Sequence, residues 1–179
     1  MPVRLVVDER SIAGLARRDV VRRAGAMLAA LQMPDAELSI VLTGDDQIRK
    51  LNRMYRKKDR ATDVLAFAQR EGELGELAGA LLGDVVVSVP TARRQAAAAG
   101  RDVRSEVMQL LAHGLLHLLG WDHDTPAADR RMRRETDRLC AAADAASRAR
   151  DGKAAAPRSV KGGSRRRANG DSSRRGAPR

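Results

Sequence analysis

Apolar positions divide the chain into short runs and longer helical stretches. Val3–Val7 has the length and alternating burial demand of a strand. Apolar residues then recur at helical spacing from Ile12 through Leu15, Val20, Ala24, Met27 and Leu28 to Leu31, with Ser11 placed as a cap and Pro34 closing the element. Leu38–Thr43 reads as a second strand, and Gly44-Asp45-Asp46 turns into a helix carrying Ile48, Leu51 and Met54. A charged stretch, 56–60, precedes the short apolar run Val64–Phe67, and Gly72–Gly79 forms a Gly/Glu-rich connection. Leu81–Val89, interrupted by Gly83-Asp84, is the most strand-like segment. Pro90 suits the first turn of a helix running through Ala99, which Gly100 ends. Arg101–Leu119 is a largely apolar helix, and Thr125-Pro126 opens a last one to about Ala146. Four strand-like runs among helices, without strict alternation or repeats, predict one α+β domain. Its small mixed sheet of about four strands would be packed by helices.

Composition narrows the partners. The 179 residues are 43% hydrophobic, enough for a core. No apolar run approaches the roughly 20 residues of a bilayer span, and Met1-Pro2-Val3-Arg4 has no apolar signal core, so a cytoplasmic protein is expected. The single cysteine, Cys140, excludes an internal disulfide framework and a multi-cysteine zinc site; amid Leu139 and Ala141 it reads as packing. Lys and Arg number 34 against 23 acids, a net charge of +11 that points to a polyanion. That charge is unevenly spread. Residues 148–179 hold 11 basic and 2 acidic residues with one large aliphatic, Val160. Such a segment cannot offset its own ordering entropy. We expect a folded domain over 1–147 with a net charge of about +2, and a disordered basic tail over 148–179 that seeks phosphates without reading sequence. Aromatics are only 2% of the chain (Tyr55, Phe67 and Trp121), which argues against an extended base-stacking platform.

All three histidines fall within one window, His113-Gly114-Leu115-Leu116-His117-Leu118-Leu119-Gly120-Trp121-Asp122-His123. On a helix, His113 and His117 project from one face at a separation one ion can bridge. Gly120 can turn the chain back at the helix end and bring His123 to the same ion. Three imidazoles plus water make the open arrangement of a catalytic zinc site, although imidazoles also suit copper, nickel or iron. The spacing matches the metzincin pattern H-E-x-x-H-x-x-G-x-x-H at every histidine and at the glycine, but Gly114 stands where that pattern has its general base. Peptidase chemistry then lacks its proton shuttle. Cleavage of an already anionic substrate, aided by the metal and a cation, fits better, and a phosphodiester meets that description.

The segment His113–His123 resembles the signature of the YbeY family of metal-dependent ribosomal RNA endoribonucleases. The resemblance extends to Leu51-Asn52-Arg53-Met54-Tyr55-Arg56, Thr62-Asp63-Val64-Leu65-Ala66-Phe67 and Leu82-Gly83-Asp84-Val85-Val86-Val87, and covers about residues 1–146. Ala66 and Ala68 stand where a Ser and a Pro are common in the family, and Trp121 where Tyr is frequent. The resemblance implies one zinc ion on His113, His117 and His123, and an arginine, Arg56, required for activity. It also implies cleavage of single-stranded RNA, with roles in 3′-end maturation of small-subunit ribosomal RNA and in ribosome quality control. Ribosomal RNA and ribosomal proteins would be the partners, with no membrane and no stable oligomer implied.

Arg56 offers a planar fork for two phosphate oxygens and is the candidate clamp on the scissile phosphate. Lys57, Lys58 and Arg60 are candidate backbone-phosphate contacts. Asp63 is a loop cap or a catalytic group, and Asp122 a possible support to the third histidine. Asp84, inside an apolar strand, needs a partner such as Arg56 or a structural hydrogen bond. Glu106 lies seven residues before His113 and is too distant to replace the missing base. Two alternatives remain: a non-catalytic, zinc-containing ribosome-assembly factor, and a metallopeptidase drawing its base from elsewhere.

Overall fold

The computed structural model describes residues 3–7, 15–69 and 80–154. Its elements follow in the order β1 (Val3–Val7), α1 (Arg17–Ala30), β2 (Glu37–Thr43), α2 (Asp45–Arg56), β3 (Val64–Ala68), β4 (Leu81–Ser88), α3 (Val89–Ala98), α4 (Val103–Leu118) and α5 (Pro126–Ala154). The strands form one mixed sheet ordered β1-β2-β4-β3, with β1, β2 and β4 parallel and β3 antiparallel to β4. This is the expected α+β domain. The long connections through α1 and α2 permit parallel pairing, while β3 reaches β4 through the connection 70–79, which lies outside the described residues.

The sheet separates two apolar clusters. On one face Leu38, Ile40, Leu42, Val85 and Val87 pack with α1, α4 and α5, whose contributions include Met27, Leu111, Leu115 and Leu139. On the other face α2 lays Ile48 and Leu51 over Leu65, Val86 and Phe67. Helix α4 touches α1, α3, α5, β3 and β4, and ten of its residues, from Glu106 to Leu118, are buried. It is the central helix, as its apolar sequence implied. Helix α2 is fixed at its first residue, where the Asp45 carboxylate accepts hydrogen bonds from Ser88, from Thr91 Oγ1 at 2.7 Å and from Arg94 at 2.9 Å.

Two boundaries differ from expectation. Helix α1 starts at Arg17 behind an extended Ala16 that makes no side-chain cap, while Ser11 lies outside the described residues. Leu15 is buried in the core, so tertiary packing rather than a capping serine sets this entry. Helix α5 continues past Ala146 to Ala154. Arg23 joins Asp19 at 2.9 Å and also pairs with Asp144, and Arg22 donates to buried Ser147 at 3.0 Å; both contacts hold α5 on α1. The expected basic tail beyond Ala154 lies outside the described residues.

Candidate metal centre

Helix α4 approaches the sheet closely at Gly114. A Cβ there would stand 2.7 Å from Val85 Cγ1 and 3.1 Å from Val64 Cγ2, so only glycine lets the helix settle on β3 and β4. Its neighbours His113 and, one turn on, His117 consequently line a cleft beside the edge strand β3. At the helix end Gly120 takes φ +77°. The Gly120 amide donates to His117 O and the Trp121 amide to Leu116 O, both at 3.0 Å, which satisfies the last carbonyls in a Schellman turn. The chain folds back and returns His123 towards the other two rings.

One nitrogen from each histidine lies within 4.8 Å of the others, and the Nε2 atoms of His113 and His117 are 3.2 Å apart. Two ligands on a tetrahedral zinc with bonds of about 2.0–2.1 Å would be separated by about 3.3 Å, so this pair already has the span of one coordination edge. Burial, reinforced by the neighbouring imidazoles, pushes His113 below its ordinary pKa; burial and then His123 do the same to His117. Both rings therefore favour the neutral form that ligates metals. The Trp121 backbone beside the His117 ring acts in the opposite direction, without reversing the shift. The donor set and its spacing fit a divalent metal ion.

The cleft has a volume of about 930 Å³. Its walls bring together Arg56, Lys58, Arg60, Asp63, Asp122 and the three histidines. Arg56, the last residue of α2, donates from an Nη to Ala66 O at 3.2 Å, and its other donors stay available. Buried Asn52 donates to Arg60 O at 2.8 Å and folds the basic loop back beneath the helix end. Asp63 is committed locally: its carboxylate accepts from Val64 N at 2.9 Å, Thr62 Oγ1 at 3.1 Å and Gln95 Nε2 at 3.0 Å. Asp122 accepts from the His123 amide at 2.7 Å, a bond that foremost holds its carboxyl below the usual range. Its Oδ1 also lies 3.5 Å from His123 Nδ1.

Two expected site residues lie elsewhere. Lys57 takes a left-handed backbone (φ 58°) to cap α2, and its ammonium returns to Met54 O at 3.3 Å instead of entering the cleft. Asp84 pairs in register with Phe67 and shares the α2 face of the sheet, so the sheet itself separates it from the histidines. It is half-buried, and its carboxylate is bonded neither to Arg56 nor to any other described side chain. Glu106 is buried far along α4 and paired with Arg101 at 2.6 Å, which removes it from any proton transfer at the centre. The sequence marks Tyr55, Phe67 and Trp121 only as too few for an extended stacking platform, yet all three line this cleft. Their only local signal was proximity in sequence to Arg56, Asp63 and His123.

Three imidazoles in an open cleft that also carries Arg56, Lys58 and Arg60 have the donors to hold a metal ion and the charge to receive an anion. The family is more specific. The sequence model described as endoribonuclease YbeY matches residues 7–144, and the chain belongs to that family. An endoribonuclease YbeY of Anaeromyxobacter dehalogenans is 54% identical over 74% of this chain and 66% of its own length. One from Anaeromyxobacter sp. strain Fw109-5 is 51% identical over 79% and 72%, and that of Aquifex aeolicus is 43% identical over 68% and 79%. The chain thus spans about two thirds to four fifths of these relatives. The solution structure of TM1509 from Thermotoga maritima superposes with a TM-score of 0.57 at 20% identity, covering 87% of this chain and 97% of that one, and so shares the fold.

Proposed function

We propose that this protein is a metal-dependent endoribonuclease that cuts single-stranded RNA. The observation that carries the reading is the convergence of three imidazole rings and the Arg56 guanidinium on one cleft. The names of its relatives support RNA as the substrate class. His113, His117 and His123 would hold the ion, and zinc is the metal this donor set favours by resemblance and geometry. When bound there, zinc supplies Lewis acidity towards a phosphoryl oxygen and acidifies water. The remaining work belongs to side chains of this protein. Arg56, already oriented by Ala66 O, presents its free donors to the non-bridging oxygens of the scissile phosphate. Lys58 and Arg60 hold adjacent phosphates. The Schellman turn keeps His123 in register with the two histidines of the helix.

Ribosomal RNA is the substrate within this proposal, with small-subunit 3′-end maturation and ribosome quality control as the processes served, in the cytoplasm. Among the described residues no helix is long and apolar enough to cross a membrane. A second reading, the metallopeptidase, draws on the outer edge of β3, whose backbone could accept a peptide as an added strand. Two features oppose it: Arg56 already occupies the Ala66 carbonyl, and Gly114 has no room for a glutamate.

The test is cleavage of an unstructured RNA and of a peptide library by wild type and His117→Ala, alongside metal analysis of both. RNA cleavage and about one ion per chain in the wild type, both lost in the variant, are expected. Peptide cleavage without RNA cleavage would replace this reading with the second. RNA binding without cleavage, unchanged in His117→Ala, would favour the assembly factor.

A further inference from the structure

The chain is poor in aromatics, yet Tyr55, Phe67 and Trp121 all line the cleft that holds the histidines. They are not equivalent. Phe67 belongs to the apolar layer between α2 and the sheet, and Trp121 packs against the main core with the Arg131 guanidinium 5.0 Å from its ring centre. Tyr55 belongs to neither cluster and is 60% exposed. Its ring is steadied by an edge-on contact with Phe67, at 5.0 Å between centroids and 65° between planes. An exposed ring held in one orientation, at the mouth of a polar cleft and next in sequence to the Arg56 clamp, has the features of a stacking surface.

We propose that Tyr55 is the base-stacking subsite of the enzyme, taking the nucleobase next to the phosphate that Arg56 holds. This rests on the endoribonuclease reading and deepens it. A base can leave its neighbours for a protein ring only where it is unpaired, so this subsite selects single-stranded over duplex RNA. It selects little among bases, because each has a π-face. The Phe67 contact limits the ring's motion and so lowers the entropy lost when a base stacks on it. The phenol hydroxyl has no part in the assignment, which makes the prediction sharp.

The experiment compares wild type, Tyr55→Phe and Tyr55→Leu on an unstructured 12-nucleotide RNA and on variants with an abasic ribose at each position in turn, reading kcat and KM separately. Because Tyr55 is exposed and outside both apolar clusters, neither substitution empties the core. Tyr55→Phe should match wild type. Tyr55→Leu should raise KM roughly tenfold or more and leave kcat within about twofold. One abasic position should reproduce that rise in wild type and add nothing in Tyr55→Leu. Normal cleavage with an unchanged KM in Tyr55→Leu, or abasic and Tyr55→Leu effects that multiply at every position, would overturn the subsite and leave the endoribonuclease reading standing. Failure of the wild type to cut any RNA would overturn both.

Discussion

Gly114 and Val85 approach so closely that a Cβ on the first would stand 2.7 Å from Cγ1 of the second. Gly114→Ala gains about 1 kcal/mol of helix propensity but overpacks the helix–sheet contact by about 1–3 kcal/mol. A net loss of about 1 kcal/mol, seen as a Tm lower by about 2–4 °C, is expected in calorimetry. Gly114→Glu also drives a carboxylate into this apolar contact; it should fall further and gain no peptidase activity. An unchanged Tm for Gly114→Ala would show that α4 can slide off the sheet at little cost.

Arg56→Ala should lower kcat on RNA by about 10²–10³, the usual effect of removing one donor to a transition-state oxyanion. Lysine restores the charge but not the two-pronged geometry, so Arg56→Lys should recover little of the rate. Steady-state kinetics decide the matter; full recovery in the lysine variant would reduce the residue to a point charge.

Asp102 caps the histidine-bearing helix, accepting from Ser105 N at 3.0 Å and Ser105 Oγ at 2.5 Å. These bonds, the side-chain one foremost, hold its carboxyl below its ordinary value of 3.8. A folded pKa below the unfolded one means the cap stabilises fully above about pH 4 and is lost as pH falls through the folded value. Asp102→Ala should therefore cost about 1 kcal/mol at neutral pH, with its denaturation curve merging with wild type in acid. A gap that persisted below the folded pKa would mean the carboxylate charge contributes nothing.

Ser147, buried and bonded to Arg22, belongs to the helix rather than to the basic extension. Truncation after Ala154 should preserve turnover and weaken RNA binding, with a shallower dependence on salt. Truncation after Ala146 removes Ser147 and should also lower the Tm. Binding titrations across ionic strengths, paired with melting curves, separate the two; an inactive Ala154 truncation at saturating RNA would place the extension inside the catalytic machinery.

Burial foremost, with the charges of Asp137 and Asp144, pushes the Cys140 thiol up to about 12. In native protein at about pH 8 it should resist a disulfide reagent that reacts fully once urea unfolds the chain. Rapid native labelling would show that α5 opens readily.

The parts of this molecule that read directly from sequence are those set by local geometry. The spacing of His113 and His117 fixes a shared helix face, Gly120 marks the left-handed turn, and Pro90 lies in the first turn of α3. What did not read depends on distant partners. Asp84 looked like a supporting residue because a carboxylate inside an apolar strand needs a partner such as Arg56, but strand alternation places it on the α2 face, and only the pairing with β3 reveals which face that is. Lys57 looked like one more cation in a basic run until the end of α2 required a left-handed residue there. The end of α5 was hidden because polar, alanine-rich sequence is compatible with either helix or tail, and contacts to α1 decide between them. The meeting of Tyr55, Phe67 and Trp121 joins residues from α2, β3 and the turn after α4, which no spacing rule connects.

The bond from Arg56 to Ala66 O has a further result. Strand β3 ends the sheet, and its outward backbone would otherwise offer a template to any passing strand. The side chain proposed to grip RNA therefore also covers one acceptor on the edge of the described sheet. A variant that loses this guanidinium gives up both duties, so part of any apparent defect in turnover can reside in protein withdrawn into assemblies. In the proposed enzyme, solubility and turnover would both draw on the same residue.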